Sequence, residues 1–315
     1  MTIRFFGVRG SIPAPQLPSQ IKSKISAILE NVTVDDLSSP ESRERFLAGL
    51  PPWLFGTVGG NTPCVMVRPD ASSDVIVFDA GTGIRVLGET VPNERSKPAS
   101  YHIFFSHLHW DHIQGLPFFN PAYDSSVTIN FYSPKPEMET ALHGQMISPY
   151  FPVSLESMVS KKNFFILDES KPVSPGGLSL TWKKMNHPGD SYSYRLCEGK
   201  KIFIYATDTE LSASDFEKSE KNTAYYSGAD VLVIDSQYTL GESIDKYNWG
   251  HSAFSMAVDF AAIWDIKHMV LFHHDPNYDD HKLYNMMQSA RLYLERMNNK
   301  TVKVSLAVEG MELEI

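Results

Sequence analysis

Residues 104–119 read FFSHLHWDHIQGLPFF, an apolar run that breaks into His107, His109, Asp111 and His112. On an extended segment, side chains two apart point to the same side, so His107 and His109 present their imidazoles together. Asp111 and His112 follow where the chain would turn into its next element, and one such loop can serve two adjacent cations. Imidazole and carboxylate are donors for zinc, manganese or iron, and the lack of cysteine in the cluster disfavours a closed structural zinc site. The competing reading is a titrating surface loop. The density of donors directly after a buried-looking strand weighs against it.

Composition limits what this loop can belong to. A chain of 315 residues fits two domains or one large α/β domain. An apolar fraction of 42% with 12% aromatics is enough for a sizeable core. With 28 Lys and Arg against 37 Asp and Glu, the net charge is -9, whereas a protein built to grip nucleic acid through its phosphates needs clustered positive charge. No apolar stretch reaches membrane-spanning length, and MTIRFFGVRG lacks the charged, apolar and small-residue succession of an export signal. A soluble cytoplasmic chain with no membrane partner is expected. Cys64 and Cys197 are too few for a disulfide framework and are expected as reduced thiols.

Runs rich in β-branched and aromatic residues predict strands: MTIRFFG, PCVMVR, DVIVFDAG, YHIFFSHLH, VTINFYS, LSLTWKKM, KIFIYATD, DVLVIDSQ, HMVLFHHD and VKVSLAV. Residues 252–265 predict a helix with Ser252 as N-cap and Phe254, Val258, Ala261 and Ala262 on one face. Residues 280–297 predict another, with Leu283, Met286, Met287, Ala290, Leu294 and Met297 on its apolar side. Strands grouped before and between helices imply two mixed sheets covered by helices. Residues 13–58 break this pattern. Pro13, Pro15, Pro18, Pro40, Pro51 and Pro52 punctuate two helix-like pieces, SQIKSKISAILENV and SPESRERFLAGL, which read as an insertion capping a site.

Three more donors fall at strand ends: His187 after LSLTWKKMN, Asp208 closing KIFIYATD and His273 after HMVLF. Taken singly, each reads as a histidine satisfied at a core edge or an aspartate capping a turn. Together they stand where open α/β sheets gather their sites. HLHWDH, followed in order by NHPGD, YATDTE, GHS and LFHHDP, resembles the metallo-β-lactamase superfamily. VRGSIPAP, GGNTPCVMV, FDAGTG, SPYFPVSLESM and IDSQYT resemble its phosphodiesterase and tRNA 3′-end ribonuclease-like branch.

The resemblance implies a four-layer αβ/βα sandwich with a helical insertion near the N-terminus. One hydrolase domain would span residues 1–315, with two divalent metal ions in the cleft between its sheets. Carried over by position, His107, His109 and His187 would bind one ion, Asp111, His112 and His273 the other, and Asp208 would bridge both. His274 is the alternative to His273 if the register slips by one. Zinc leads as the metal, with manganese and iron open.

Two cations roughly 3.5–4 Å apart lower the pKa of a shared water and neutralise phosphoryl oxygens during in-line attack. Asp111 would orient that nucleophile. His251 matches a histidine of the resembled branch beside the scissile phosphate and would protonate the leaving oxygen. The plainer reading places it merely ahead of a helix start. Asp79 and Asp235 read as partners of metal-bound imidazole, not as ligands. GGN at 59–61 and DAGTG at 79–83 supply tight turns and lack the length of a nucleotide-binding fingerprint. Most of Trp110, Phe118, Phe119, Tyr150, Phe151 and Trp249 are expected in the core, while any that line the cleft could stack a nucleobase.

The metal loop alone names no substrate. The GHS histidine with the VRGSIP and GGNTPC segments leans toward phosphodiester cleavage. The acidic balance, without a long basic arm, leans toward a small substrate: a 3′,5′-cyclic nucleotide first, with a ribonuclease acting on RNA or tRNA 3′ ends second. A non-enzymatic sensor that keeps a bound metal is a third reading, and the full donor set together with His251 argues against it. A homodimer stays open.

Overall fold

Val75–Phe78 shows how the sequence makes its layers. Val75 and Val77 join one buried cluster while Ile76 and Phe78 join another, the alternation that a pleated strand imposes. Val231–Asp235 divides likewise, Val231 and Val233 facing the second of those clusters and Leu232 and Ile234 a third. Strands buried on both faces read as unbroken apolar runs, and these runs form the centre of each sheet.

The computed structural model describes residues 1–93, 98 and 100–315. Its strands are β1 (Thr2–Gly7), β2 (Cys64–Arg68), β3 (Val75–Phe78), β4 (Ser100–Phe104), β5 (Thr128–Ser133), β6 (Lys161–Ile166), β7 (Ser179–Met185), β8 (Ser191–Glu198), β9 (Lys201–Ala206), β10 (Val231–Asp235), β11 (His268–Phe272), β12 (Lys303–Leu306) and β13 (Glu312–Glu314). One sheet runs β13-β1-β2-β3-β4-β5-β6, the other β12-β11-β10-β9-β8-β7. Between them lies an aromatic-rich core in which Phe78 stacks on Tyr205 at 5.1 Å and sits 5.8 Å from Phe203. Helices Gly83–Thr90 and Met138–Gly144 cover the outer face of the first sheet, and Phe254–Ile263 and Asp280–Arg296 that of the second. The result is the four-layer αβ/βα sandwich.

The parallel strands β3 and β4 run side by side, as do β9, β10 and β11, so each group delivers its following loops at one edge. Tyr194 Oη donates to the Phe105 carbonyl at 2.6 Å and the Tyr192 N–H to the Ser106 carbonyl at 2.9 Å. The two sheets are therefore joined at the root of the histidine-rich loop.

Local differences from the sequence expectations have physical causes. The helix Phe254–Ile263 is capped by Ala253, because the Ser252 hydroxyl donates to the Thr209 carbonyl at 2.6 Å and accepts from the Leu211 N–H at 3.0 Å. Its buried face is accordingly Ala257, Val258, Phe260 and Ala261, with Phe254 and Ala262 only half-buried. Met297 lies past the end of Asp280–Arg296 and is 41% exposed. β6 and β8 escape the pattern because KKNFFI opens on lysines at an edge and SYSYRLCE alternates serine with tyrosine.

Between β1 and β2 the chain carries the helices Pro18–Asn31, Pro40–Gly49 and Pro52–Phe55, and the first two bury no residue fully. Lys24 pairs with Asp280 and donates to the Gly56 carbonyl at 2.6 Å, and Trp53 packs 4.4 Å from the His281 ring. Of these anchors, Asp280 and His281 open the helix Asp280–Arg296. Among the described residues no helix is long and apolar enough to cross a membrane.

Candidate metal centre

The strand β4 ends at Phe104, and the chain continues through Ser106–His109 into a helical turn, Trp110–Ile113. His107 and His109 bring their rings to 4.4 Å of each other. The turn then buries Asp111 and His112 and leaves Trp110 outside. The other donors follow strand ends as the sequence predicts: His187 two residues past β7, Asp208 two past β9 and His273 directly after β11. Asp79, Asp208 and His273 adopt φ of 62°, 48° and 61°, a left-handed backbone that non-glycine residues take at a cost of order 1–3 kcal/mol and that clusters at functional sites.

The seven side chains predicted as metal donors come together. His107, His109 and His187 form one group, and Asp111, His112 and His273 another, with donor atoms in each within 4.8 Å of one another. Asp208 stands between them. Its Oδ2 faces His107 Nε2 at 3.7 Å and His187 Nε2 at 3.9 Å, while its Oδ1 faces His112 Nε2 at 3.3 Å and His273 Nε2 at 3.2 Å. His107 Nε2 and His112 Nε2 are buried without a hydrogen-bond partner. Buried polar atoms are normally satisfied, and leaving one unpaired is costly. Two such nitrogens facing the Asp208 carboxylate, at 3.7 Å and 3.3 Å, fit donors to divalent metal.

Three of the cluster's imidazoles are turned by a partner at their other nitrogen. His112 Nδ1 donates to Asp79 Oδ2 at 2.8 Å, His187 Nδ1 to the Gly250 carbonyl at 2.9 Å, and His273 Nδ1 meets Gln237 Oε1 at 3.2 Å. Asp111 Oδ2 accepts the Ser11 N–H at 2.8 Å. Gly10 is confined to hydrogen at its α-carbon, since a Cβ there would stand 2.5 Å from the His273 ring. His274 points elsewhere, Nε2 donating to the Ala307 carbonyl at 2.9 Å, so the cluster takes His273.

Burial and neighbouring charge act against each other inside the cluster. Burial pushes the His107 imidazole well below its ordinary value, reinforced by His112. Against burial, Asp111, Asp208 and Asp79 hold His112 well above its ordinary value. Asp208 is likewise held well below the carboxylate range by His273, His112 and His107, again opposed by burial. His251 sits at the edge, its ring 5.2 Å from His187 and 4.9 Å from His273. Its Nδ1 donates to Asp235 Oδ2 at 2.6 Å, and Asp235 raises its pKa to about 9 in spite of burial.

The aromatic expectation needs correction. Phe119 is buried and Phe151 partly so, but Trp110 is 71% exposed and Trp249 62%, with Phe118 and Tyr150 also exposed. The buried side of the turn at 110–113 is taken by Asp111, His112 and Ile113, and Trp249 lies between left-handed Asn248 and Gly250, which turn it outward. Gln237 and the Gly250 carbonyl, which hold His273 and His187, carry no local sequence signal, because their partners lie 36 and 63 residues away.

Comparison with known proteins gives the family. Residues 75–274 match the family described as the beta-lactamase superfamily domain. A ribonuclease Z from Prochlorococcus marinus (strain NATL1A) is 23% identical over 274 residues, covering 70% of this chain and 84% of that protein. The metallo-beta-lactamase fold protein YhfI from Bacillus subtilis superposes over 100% of this chain and 99% of its own, with a TM-score of 0.66 and 18% identity. Human tRNase Z, short form, superposes over 100% and 99% with a TM-score of 0.62 and 17% identity. Because the matched span runs from the start of β3 past the last of the converging histidines, well over half the chain, this protein belongs to the metallo-β-lactamase superfamily and is a metal-dependent hydrolase.

Proposed function

We propose that the protein hydrolyses a small phosphodiester, with a 3′,5′-cyclic nucleotide as the leading substrate and two divalent cations, zinc foremost, as cofactors. The observation that carries this reading is His251: its Nδ1 is tied to buried Asp235 at 2.6 Å beside the donor cluster, which leaves Nε2 to hold a proton. His107, His109 and His187 would hold one ion, Asp111, His112 and His273 the other, with one oxygen of Asp208 toward each group. When bound, such a pair lowers the pKa of water and neutralises charge on phosphoryl oxygens.

The chain's own residues supply the rest. Asp111, fixed by the Ser11 N–H, orients the attacking water. His251 Nε2 delivers its proton to the leaving oxygen, and Asp235 keeps that ring in register. Trp110 and Trp249, both exposed and each next in sequence to a residue that touches His187, can stack a nucleobase. The net charge of -9 favours a small substrate over a long nucleic acid. Cys64 and Cys197 are not bonded to each other, which suits a cytoplasmic location.

A second reading, a ribonuclease acting on RNA 3′ ends, draws on the ribonuclease Z relative at 23% identity. Metal analysis with turnover of bis-p-nitrophenyl phosphate tests the hydrolase, and competition among cyclic mononucleotides, cyclic and linear dinucleotides and unprocessed tRNA tests the substrate. Preference for cyclic mononucleotides is the expected result. Preference for tRNA by orders of magnitude would install the second reading, and full metal occupancy without turnover of any phosphodiester would return the sensor.

A further inference from the structure

Glu210 follows Asp208 by two residues, and it grips the His187 segment from two directions. Its backbone N–H donates to the Asn186 carbonyl at 2.8 Å, and its own carbonyl accepts from Asn186 Nδ2 at 3.1 Å. Its carboxylate takes two amides of the turn behind His187: the Asn248 N–H on Oε1 at 3.1 Å and the Gly250 N–H on Oε2 at 3.0 Å. Asn248 and Gly250 have φ of 65° and 87°. Left-handed residues on either side of Trp249 thus aim two N–H groups at one anion, as backbone nests do.

The consequence reaches the cluster through one carbonyl. Gly250 accepts from His187 Nδ1 at 2.9 Å, which directs His187 Nε2 toward Asp208 and His109. The fit is tight, since a Cβ on Gly250 would stand 2.2 Å from His187 Nδ1. The Glu210 carboxylate pins this turn at both of its left-handed residues, and the Trp249 N–H between them donates to the Lys246 carbonyl at 3.1 Å.

We infer that Glu210 is a positioning residue: by clamping the 248–250 turn it sets the orientation of His187 and so the affinity of the ion that His187 helps to hold. This rests on the metal assignment proposed above. Outer partners that orient a metal-bound imidazole typically change affinity by about 10–100-fold, and Glu210 acts one bond further out. Glu210→Ala should therefore weaken one of the two ions about tenfold and leave the other unchanged.

The test titrates metal-depleted full-length protein with Co²⁺ and Zn²⁺ against a competing chelator, recording the visible Co²⁺ spectrum and thermal unfolding of the metal-free chain. For Glu210→Ala the expected result is an altered Co²⁺ band for one ion, about tenfold weaker binding there, and a metal-free midpoint lowered by only about 2–4 °C. Glu210→Gln keeps one acceptor for the two amides and should fall between. Gly250→Ala, which leaves Glu210 intact but displaces His187, should reproduce the spectral change, so the inference stays testable if Glu210→Ala folds poorly. Wild-type affinity and spectrum in Glu210→Ala, alongside lost binding in His187→Ala, would overturn this inference and leave the metal assignment standing. Wild-type protein that binds neither ion would overturn both.

Discussion

Asp79 and Asp235 present the same hydrogen bond to two imidazoles with different outcomes. Both carboxylates are wholly buried, and each accepts from the Nδ1 of one histidine, His112 at 2.8 Å and His251 at 2.6 Å. Their remaining partners differ. Asp79 takes the Ser106 N–H at 2.7 Å, the Ser106 hydroxyl at 2.8 Å and the Tyr205 hydroxyl at 2.8 Å. Asp235 takes backbone amides, those of Gln237 at 3.1 Å, Ser252 at 3.2 Å and Thr209 at 3.3 Å. His112 Nε2 is sealed among Asp111 and Asp208, whereas the His251 ring keeps a tenth of its surface open. The two imidazoles thus share the orienting carboxylate and differ in how deeply the ring it holds is buried.

Removing Asp79 breaks this comparison most severely. Asp79→Ala leaves His112 Nδ1, Ser106 and Tyr205 Oη facing a buried void. Breaking a buried charged network of this kind costs about 3–5 kcal/mol, and the loss of an orienting carboxylate costs about 10–100-fold in metal affinity. Chemical denaturation and chelator competition on the same preparation measure both. If stability falls but metal affinity does not, Asp79 is a folding residue and its likeness to Asp235 is superficial.

His251→Ala probes the other side. It should leave metal content at the wild-type level and lower kcat by about 10²–10⁴-fold, the range of a positioned general acid. The loss should be larger for a substrate with a ribose leaving oxygen than for a p-nitrophenyl ester, whose leaving group needs no proton. An equal loss on both would assign His251 to binding, not proton transfer. Asp235→Asn should give a smaller effect of the same kind, about tenfold, also without loss of metal. Metal loss in Asp235→Asn would make the two carboxylates equivalent after all.

What the sequence disclosed about this pair depended on chain distance. His107 to His112 crowd into one loop, and each later donor falls within two residues of a strand end, so strand patterning and donor chemistry pick them out together. The layered fold was legible for the same reason: strands buried on both faces leave long apolar runs. The charged edge strand Lys161–Ile166 and the serine-tyrosine strand Ser191–Glu198 left none. The groups that aim the histidines were hidden, because Tyr205 reaches Asp79 across 126 residues and Gly250 reaches His187 across 63. Ser252 misled as an N-cap because its hydroxyl is spent on Thr209, 43 residues away.

Tyr205→Phe is the smallest perturbation and the sharpest. The substitution keeps the ring stacked on Phe78 at 5.1 Å and removes only the hydroxyl that donates to Asp79 Oδ2. One net hydrogen bond contributes about 1 kcal/mol, so chemical denaturation should register a loss of about that size. Asp79 would retain Ser106 and His112, and metal affinity should stay at the wild-type level. If Tyr205→Phe instead weakened metal binding as much as Asp79→Ala, the Asp79 carboxylate would act as one member of a cooperative side-chain network. Asp235, held by backbone amides that no side-chain substitution removes, would then be the more robust of the two supports, and the pair would differ in how each carboxylate is itself held as well as in what each histidine faces.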